Sequence, residues 1–475
     1  TRVAANVAAD ADPVSPPSDA TARLAGAIAG HTAVEALDPG EPDPLGLVTE
    51  LPHAQRQVLP VPGCDCGDDR DRSLDRSDGT RAVDAALGAA ERGLDRRVGV
   101  VSEVGEAESY PAPYYLAQVS DTAGFSDATA SRQAAGVDPG WNAAFMKALG
   151  EGYERYCAGV YRESEFTTAA ADDLPTAVSP ADFVRPGEWE AAADADGDER
   201  PWVQGESLAT GDAVHLPAEL VHYPPPERTI RPAVTTGLGL GNSTAEALRS
   251  GLYEVVERDA TTIAWYSTYE PLGLEVTDDD YRELAARAGA EGLDATALLL
   301  TQDVDVPVVA VAVTREEYPK LALGTAAHLD PARAARNALA EAVQNFVELR
   351  EMGPEGATES EGAIGRYAQD PTPVESFVSP DSRVPAASVG PETVPDGRAH
   401  LEALHGRVTD AGLHPFAART TTRDVESLGF EAVRVVVPSA QPLFFDTAYF
   451  GERARTVPDS LGFEADLDRE RHPYP

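Results

Sequence analysis

Apolar residues recur along this chain at two spacings, and the longer spacing carries the acidic side chains with it. Between Gly237 and Tyr266, Leu248, Leu252, Val255 and Val256 fall on one side of a helix that advances roughly 100° per residue. Asn242-Ser243-Thr244 supplies N-cap groups ahead of that helix, and Glu246 follows them. Glu246, Glu254 and Glu257 gather on the opposite side, within about 80° of one another, beside the small Ala247 and Ser250. A second helix is predicted over Trp141–Tyr161, where Glu151 and Glu154 share a face and Arg155 adjoins them. Gly150 and Gly152 flank Glu151 at a cost of roughly 1 kcal/mol each in a helix interior, which fits close packing by another backbone or a ligand. A third helix is predicted over Pro331–Arg350, with Leu339, Val343, Phe346 and Val347 on its apolar side and Glu341, Gln344 and Asn345 on the other. Its proline suits a first turn, and Gly324 to Ala327 leads into it from a strand.

The shorter spacing predicts strands over Val98–Val104, Tyr114–Ser120, Val203–Leu208, Val214–His222, Ala297–Leu300, Val306–Val313, Leu321–Ala326 and Glu431–Val437. From about residue 95 strands and helices alternate, which predicts an α/β (mixed α+β) domain. Ahead of it, Ala20–Leu37 has helical spacing and many small residues, as in a helix packed closely on another element. Gly40–Pro62 is turn-rich, Asp65–Asp78 is a charged linker, and Thr80–Leu94 is an amphipathic helix. The boundary is placed in the linker, giving a short segment over 1–74 and a main domain over 75–475. Ala181–Pro201 reads as a surface loop and Met352–Arg398 as a long irregular excursion.

Charge narrows the partners. The 475 residues include 80 acidic and 38 basic ones, for a formal net charge of −42, and Lys147 and Lys320 are the two lysines. Neutralising phosphates needs a basic surface, so nucleic acid and anionic membranes are excluded as partners. Such acidity keeps a protein soluble where 1 M salt screens charges to about 3 Å, and the expectation is a cytoplasmic protein of a salt-accumulating halophile. Apolar runs fall short of the roughly 20 residues of a membrane span. Three cysteines, Cys64, Cys66 and Cys157, do not make a disulfide framework and point to a reducing compartment. Cys64 and Cys66 alone are too few for structural zinc.

The candidate chemistry lies in the glutamates. A row of them on one helix is by default a solvated face. Three helices each carrying an E-x-x-E or E-x-x-Q pair, with arginine directly after the second glutamate at Glu154-Arg155 and Glu257-Arg258, favour a shared site. Carboxylates in a row repel unless a cation offsets them, and magnesium takes oxygen ligands shared with phosphates. Arginine beside them can bridge phosphate oxygens. The chain has no G-x-x-x-x-G-K-[ST] loop, no H-E-x-x-H and no G-x-S-x-G. Gly237, Gly239 and Gly241 do not have dinucleotide spacing, and they read either as a tight turn or as a phosphate contact.

GEGYERY around Glu151, GNSTAEALRSGLYEVVERD from Gly241 to Asp259, and ALAEAVQ from Ala338 to Gln344 together resemble the YcaO family, in the family's order and over roughly residues 75–475. Val433–Leu443 and the terminal His472-Pro473-Tyr474-Pro475 resemble its C-terminal half. The resemblance implies a YcaO-type ATP-binding domain of mixed sheets flanked by helices, with ATP and Mg2+ as cofactors. It implies that Glu151, Glu154, Glu246 and Glu257 hold metal. Asn242, Glu254, Arg258, Glu151, Gln344 and Glu341 would contact the nucleotide. The catalytic residue is left open, with Pro475 as the candidate, since that tail is thought to reach the site; a frayed terminus is the alternative. The implied activity is phosphorylation of a peptide amide oxygen, followed by azoline formation from Cys, Ser or Thr of a ribosomally made peptide. The alternatives are thioamidation with a sulfur-transfer protein as partner, and a non-catalytic nucleotide-binding scaffold. A homodimer is also implied. Two departures are notable: Ser131–Gly140 lacks the lysine many members carry, and the proline-rich tail is short. Residues 1–74 resemble the end of an E1-like domain that serves peptide recruitment, and a leader-peptide-binding protein is a further implied partner.

Overall fold

The computed structural model describes residues 17–37, 46–51, 54–62, 70–189, 199–359 and 362–475. Cys64 and Cys66 lie outside the described residues, as does most of the acidic run before Arg200. Near the N-terminus, helix α1 (Asp19–Glu35) is capped by Ser18, whose Oγ accepts from Thr21 N, and strands β1 (Leu47–Glu50) and β2 (Ala54–Gln57) form a hairpin. The expectation of a closely packed helix fails here, because α1 has no buried residue.

The body contains three sheets. Strands β3 (Val101–Glu108), β4 (Tyr114–Val119) and β5 (Gln133–Val137) pair antiparallel in sequence order, and α2 (Val83–Ala90) and α3 (Trp141–Gly159) pack beside them. The central sheet has the order β6 (Thr167–Ala169), β7 (Arg200–Ser207), β15 (Phe416–Arg419), β16 (Glu431–Val436), β9 (Leu238–Gly241), with β8 (Ala213–Pro217) on β7. Helix α4 (Thr244–Trp265) lies against it. The third sheet runs β13 (Leu321–Ala327), β12 (Val308–Thr314), β11 (Asp294–Leu299), β10 (Leu272–Glu275), β14 (Arg383–Pro385), with α5 (Asp279–Ala290) and α6 (Pro331–Glu359) beside it. Helix α7 (Gly397–Asp410) covers α4, and α8 (Arg453–Leu461) closes the C-terminal side. Strand β12 is buried from Val308 to Val313, which explains its unbroken apolar run.

Helix α4 is the spine, since 17 of its 22 residues are buried. At its C-terminal end Asp259, 1% exposed, accepts from Arg453 at 2.7 and 3.0 Å and from Gln441 N, and Arg453 also pairs with Asp303. No helix among the described residues is long and apolar enough to cross a membrane.

The same contact recurs in all three sheets. A Cβ on Gly136 of β5 would stand 2.4 Å from Ala144 O and 2.2 Å from Ala148 N of α3. On Gly239 of β9 it would meet Ala247 O of α4 at 2.2 Å, and on Gly324 of β13 it would meet Ala338 O and Ala342 N of α6 at 2.3 Å. Each helix therefore rests its backbone directly on a strand. The tight-turn reading of Gly237 to Gly241 holds at Gly237 alone, where φ is 92° and Leu238 N donates to Thr235 O at 3.0 Å, while Leu238–Gly241 pairs with β16, Gly239 opposite Val433. The glycines serve helix-on-strand contact, which a turn-based reading of glycine cannot anticipate.

Other expectations need correction. Val214–His222 is a strand only to Pro217, after which Ala218–Val221 coils into a short helix. Met352–Arg398 is not one irregular excursion. Helix α6 breaks at Gly353, whose φ of 70° is open to glycine, and restarts at Pro354. Ile364–Gln369 is helical, and β14 joins the third sheet beside β10. The charged linker is irregular in backbone but pinned from Arg70 onward. Arg70 donates to Thr421 O and Val160 O, Arg72 pairs with Glu165, and Asp75 accepts from Thr244 Oγ1 at 2.8 Å.

Gly324→Ala is expected to push α6 off β13 and to cost about 2–3 kcal/mol, in the range of core overpacking. Gly105→Ala on β3, with nothing within 4 Å of the added methyl, is expected to stay within about 0.5 kcal/mol of the parent. Chemical denaturation of the two variants tests the pair.

Candidate functional site

The three helices that rest on glycines present their glutamates to one cleft of about 1070 Å³. Its walls include Glu151, Glu154, Asn242, Glu246, Glu254, Glu257, Arg258, Glu341, Gln344 and Pro475, so every site residue expected from sequence lines it. The helix-on-strand contact sets their positions. Glu151 and Glu254 each follow three residues after the small residue beneath the strand, Ala148 in α3 and Gly251 in α4. Glu154 and Glu257 come one turn later, each followed by arginine. In α6 the corresponding places after Ala342 are taken by Asn345 and Glu348.

Backbone N–H groups on or immediately before the strands hold one carboxylate on each helix. Ala135 N donates to Glu151 Oε2 at 2.9 Å, Gly237 N to Glu254 Oε2 at 3.0 Å, and Thr325 N to Glu341 Oε2 at 2.7 Å. Arg155 pairs with Glu151 at 3.0 Å. Glu257, 9% exposed, accepts from Thr325 Oγ1 at 2.6 Å and stands 3.5 Å from Arg258. Glu246 reaches back to Asn242, accepting from its N at 2.9 Å and its Nδ2 at 3.0 Å, while Ser243 Oγ caps the helix. Asn242 Oδ1 is buried without a donor. Gln344 donates to Glu348, which also accepts from Tyr114 Oη at 2.6 Å.

Glu154 has no such anchor. Burial pushes its carboxyl up to about 8, the nearby charges of Glu254 and Glu151 add to the shift, and Arg155 opposes it. Burial likewise raises Glu341 to about 7 and raises Glu254, against the pull of Arg258 in both. Among the described residues no three His, Cys, Asp or Glu side chains are gathered as a metal-holding group.

The cleft walls also include residues that the sequence reading missed. Glu348 lies two turns beyond Glu341 on the same face of α6, and the helical period that found Glu341 would have found it. Arg249, Tyr253, His328 and Arg333 line the cleft as well. Arg249 is one turn from Glu246, but a lone arginine on a wheel carries no distinguishing signal. The tail is no frayed end: His472 is 2% and Tyr474 0% exposed, His472 Nε2 bonds Phe444 O at 2.6 Å, and Pro475 reaches the cleft.

Comparison with known proteins places this geometry. A family model described as YcaO cyclodehydratase, ATP- and Mg2+-binding, matches residues 136–441, more than half the chain. An uncharacterized protein of Methanothermobacter thermautotrophicus is 28% identical over 323 residues, 65% of this chain and 82% of its own length. YcaO from Methanopyrus kandleri, solved bound with AMPPCP and Mg2+, is 25% identical, with a TM-score of 0.60 over 76% of this chain and 91% of that one. A heterocyclase solved in complex with substrate and cofactor is 21% identical and shares the fold, with a TM-score of 0.76 over 96% of this chain and 68% of that one. The mixed α/β architecture and the match over its three carboxylate helices have one reading: the chain belongs to the YcaO family.

Proposed function

We propose that this chain is an ATP- and Mg2+-dependent enzyme that activates backbone amides of a ribosomally made peptide and closes azoline rings from its Cys, Ser or Thr residues. The observation that carries the reading is the convergence of glutamates from α3, α4 and α6, with Arg155 and Arg258 between them, in one cleft. The family description as an ATP- and Mg2+-binding cyclodehydratase supports it. So does the relative from Methanopyrus kandleri, bound with AMPPCP and Mg2+. In this reading the residues ahead of the Arg70–Asp78 strap serve peptide recruitment.

The residues present fit magnesium. Burial first, with neighbouring carboxylates adding to it, holds Glu154 up at about 8 and Glu341 at about 7 against the pull of the arginines. A divalent cation supplies the missing charge when bound, offsetting phosphate and carboxylate together. Magnesium keeps several waters and takes one or two carboxylates plus phosphate oxygens, so a gathered trio of protein ligands is not required. Glu154, the carboxylate without an anchor, Glu151 and Glu257 are the proposed ligands, with Glu246 and Asn242 at the nucleotide. The donorless Asn242 Oδ1 is an acceptor for an amine.

The reaction balances without a further reactant. The amide oxygen forms a bond to the γ-phosphorus of ATP as the bond to the β-phosphate oxygen breaks and ADP leaves. The side-chain sulfur or oxygen then bonds the amide carbon, its proton and the amide proton are released, and the former amide oxygen departs in phosphate. The chain's part is positional and electrostatic. Arg155 and Arg258, each already oriented by a glutamate, offer guanidinium donors to phosphate oxygens. The charges of Glu254 and Glu341, fixed by backbone N–H groups, add to that of Glu257 in favouring the charged Arg258 guanidinium.

Mass spectrometry of Cys-, Ser- or Thr-containing peptides incubated with the chain, ATP and Mg2+ is expected to show loss of one water per ring. Exchange of oxygen for sulfur when a sulfur donor is supplied would mean thioamidation instead. Glu257→Gln is expected to cut peptide-dependent ATP hydrolysis by about 100-fold or more, the scale of losing one preorganised group. Unchanged turnover would leave a nucleotide-binding scaffold.

Titration supplies an independent check. The unfolded chain releases the Glu154 proton near 4.5, and the folded chain holds it to about 8. Between those values the folded state binds more protons, so this group makes stability fall as pH rises. Glu154→Gln in the metal-free chain is expected to gain on the parent from pH 5 to pH 8. That change amounts to about 3 kcal/mol, so the difference in Tm is expected to widen by about 3 °C, where 1 kcal/mol moves a domain of this size by about 1 °C. A constant difference across that range would contradict the raised carboxyl.

A further inference from the structure

Six cations line the cleft, and four of them are engaged: Arg81 with Leu428 O, Lys147 with Asp138, Arg155 with Glu151 and Arg258 with Glu257. The other two, Arg249 and Arg333, have no hydrogen bond or ion pair with any described residue. In a chain with 80 acidic residues against 38 basic ones, two cations left without an ion pair in a single cleft are conspicuous. They are also neighbours. The cleft walls first, and the positive charge of Arg249 next, push the Arg333 guanidinium below its ordinary range.

Arg336 lowers the Arg333 guanidinium further while Asp330 opposes it, and the aromatic rings beside the pair are uncharged. Tyr253 stacks on His328 with ring centroids 5.0 Å apart, and its Oη bonds His400 Nε2 and accepts from Leu329 N at 3.0 Å. Burial, followed by the charge of Arg333, pulls His328 down to about 3, and burial and Arg249 pull His400 to about 4, so both rings are neutral. Asp330 N donates to His328 Nδ1 at 2.9 Å, which leaves Nε2–H as the ring's donor. Asn337, one turn beyond Arg333, lines the cleft too. Donors therefore predominate in this lobe.

The lobe adjoins Glu246, one turn from Arg249, but is offset from Glu254 and Glu341. On the wheel of α4, Arg249 lies roughly 140° from Glu254. Arg333 precedes Glu341 by two turns, about 12 Å at 1.5 Å per residue. An extended peptide covers that length in about four residues.

We propose that Arg249 and Arg333 form a carboxylate-binding subsite, which selects an acidic side chain a few residues from the amide that the enzyme activates. This rests on the peptide-modifying reading of the cleft, and it adds a sequence preference to it.

The test uses the full chain and short fluorescein-labelled peptides of Gly, Ala and Ser around one Cys, with Asp placed at successive positions on either side, each matched by an Asn peptide. Fluorescence anisotropy at the lowest salt that keeps the chain folded reads binding, and the shift in Tm with Mg·AMPPCP reads the nucleotide site. At one position or more, the Asp peptide is expected to bind at least about fivefold more tightly than its Asn partner, the upper range of a solvent-accessible ion pair. Arg249→Gln with Arg333→Gln should abolish that difference and keep the Mg·AMPPCP shift. If the double variant does not fold, Arg333→Gln alone, on the open side of the cleft, should reduce the difference. Asp and Asn peptides that bind alike, or not at all, would overturn the subsite. Loss of the Mg·AMPPCP shift in the variant would also overturn it, assigning the arginines to the nucleotide. A parent chain without that shift would refute the nucleotide reading, while the Asp and Asn comparison would still judge the subsite.

Discussion

Backbone lies on backbone at three places in this molecule, and the cleft exists because of it. Where Gly136, Gly239 and Gly324 face α3, α4 and α6, no side chain separates strand from helix. At that separation a backbone N–H on or immediately before the strand reaches a glutamate on the helix directly, as in the Ala135–Glu151, Gly237–Glu254 and Thr325–Glu341 bonds. Any larger residue at the glycine would lift the helix and break that bond along with the packing. Fold and site are thus set by one short distance repeated three times.

That closeness has an electrostatic cost, which the protein offsets only in part. Carboxylates sharing one partly dry cleft repel, and each is disfavoured further by lost hydration. Peptide dipoles steady Glu151, Glu254 and Glu341, and arginines sit beside Glu151 and Glu257. Glu154 receives neither a backbone donor nor a full ion pair, and burial, reinforced by Glu254 and Glu151, raises its proton affinity. A site with this leftover imbalance favours any ligand that brings positive charge and accepts oxygen ligands.

Helical periodicity made the three acidic helices legible, because their apolar and acidic residues separate at 3.6-residue spacing over long segments. Strands β5 and β9 were not legible as strands: QAAGV and LGLG are short, small and glycine-bearing, and their β character comes from pairing with neighbours that no local signal reveals. The strap from Arg70 to Asp78 read as a linker because charges suggest solvent, whereas its arginines are spent on carbonyls and carboxylates of the body. Ten site residues could be named from the recurring E-x-x-E pattern and the family resemblance. Arg249 and Arg333 stayed hidden because what distinguishes them is the lack of a partner, which exists only in three dimensions.

The clamp of Asp259, Arg453 and Asp303 has a mechanical consequence. Breaking a buried pair by tilting α4 would strand a charge away from water, at a cost of about 3–5 kcal/mol. The spine helix is therefore the fixed jaw of the cleft, and its glutamates keep their places while other parts yield.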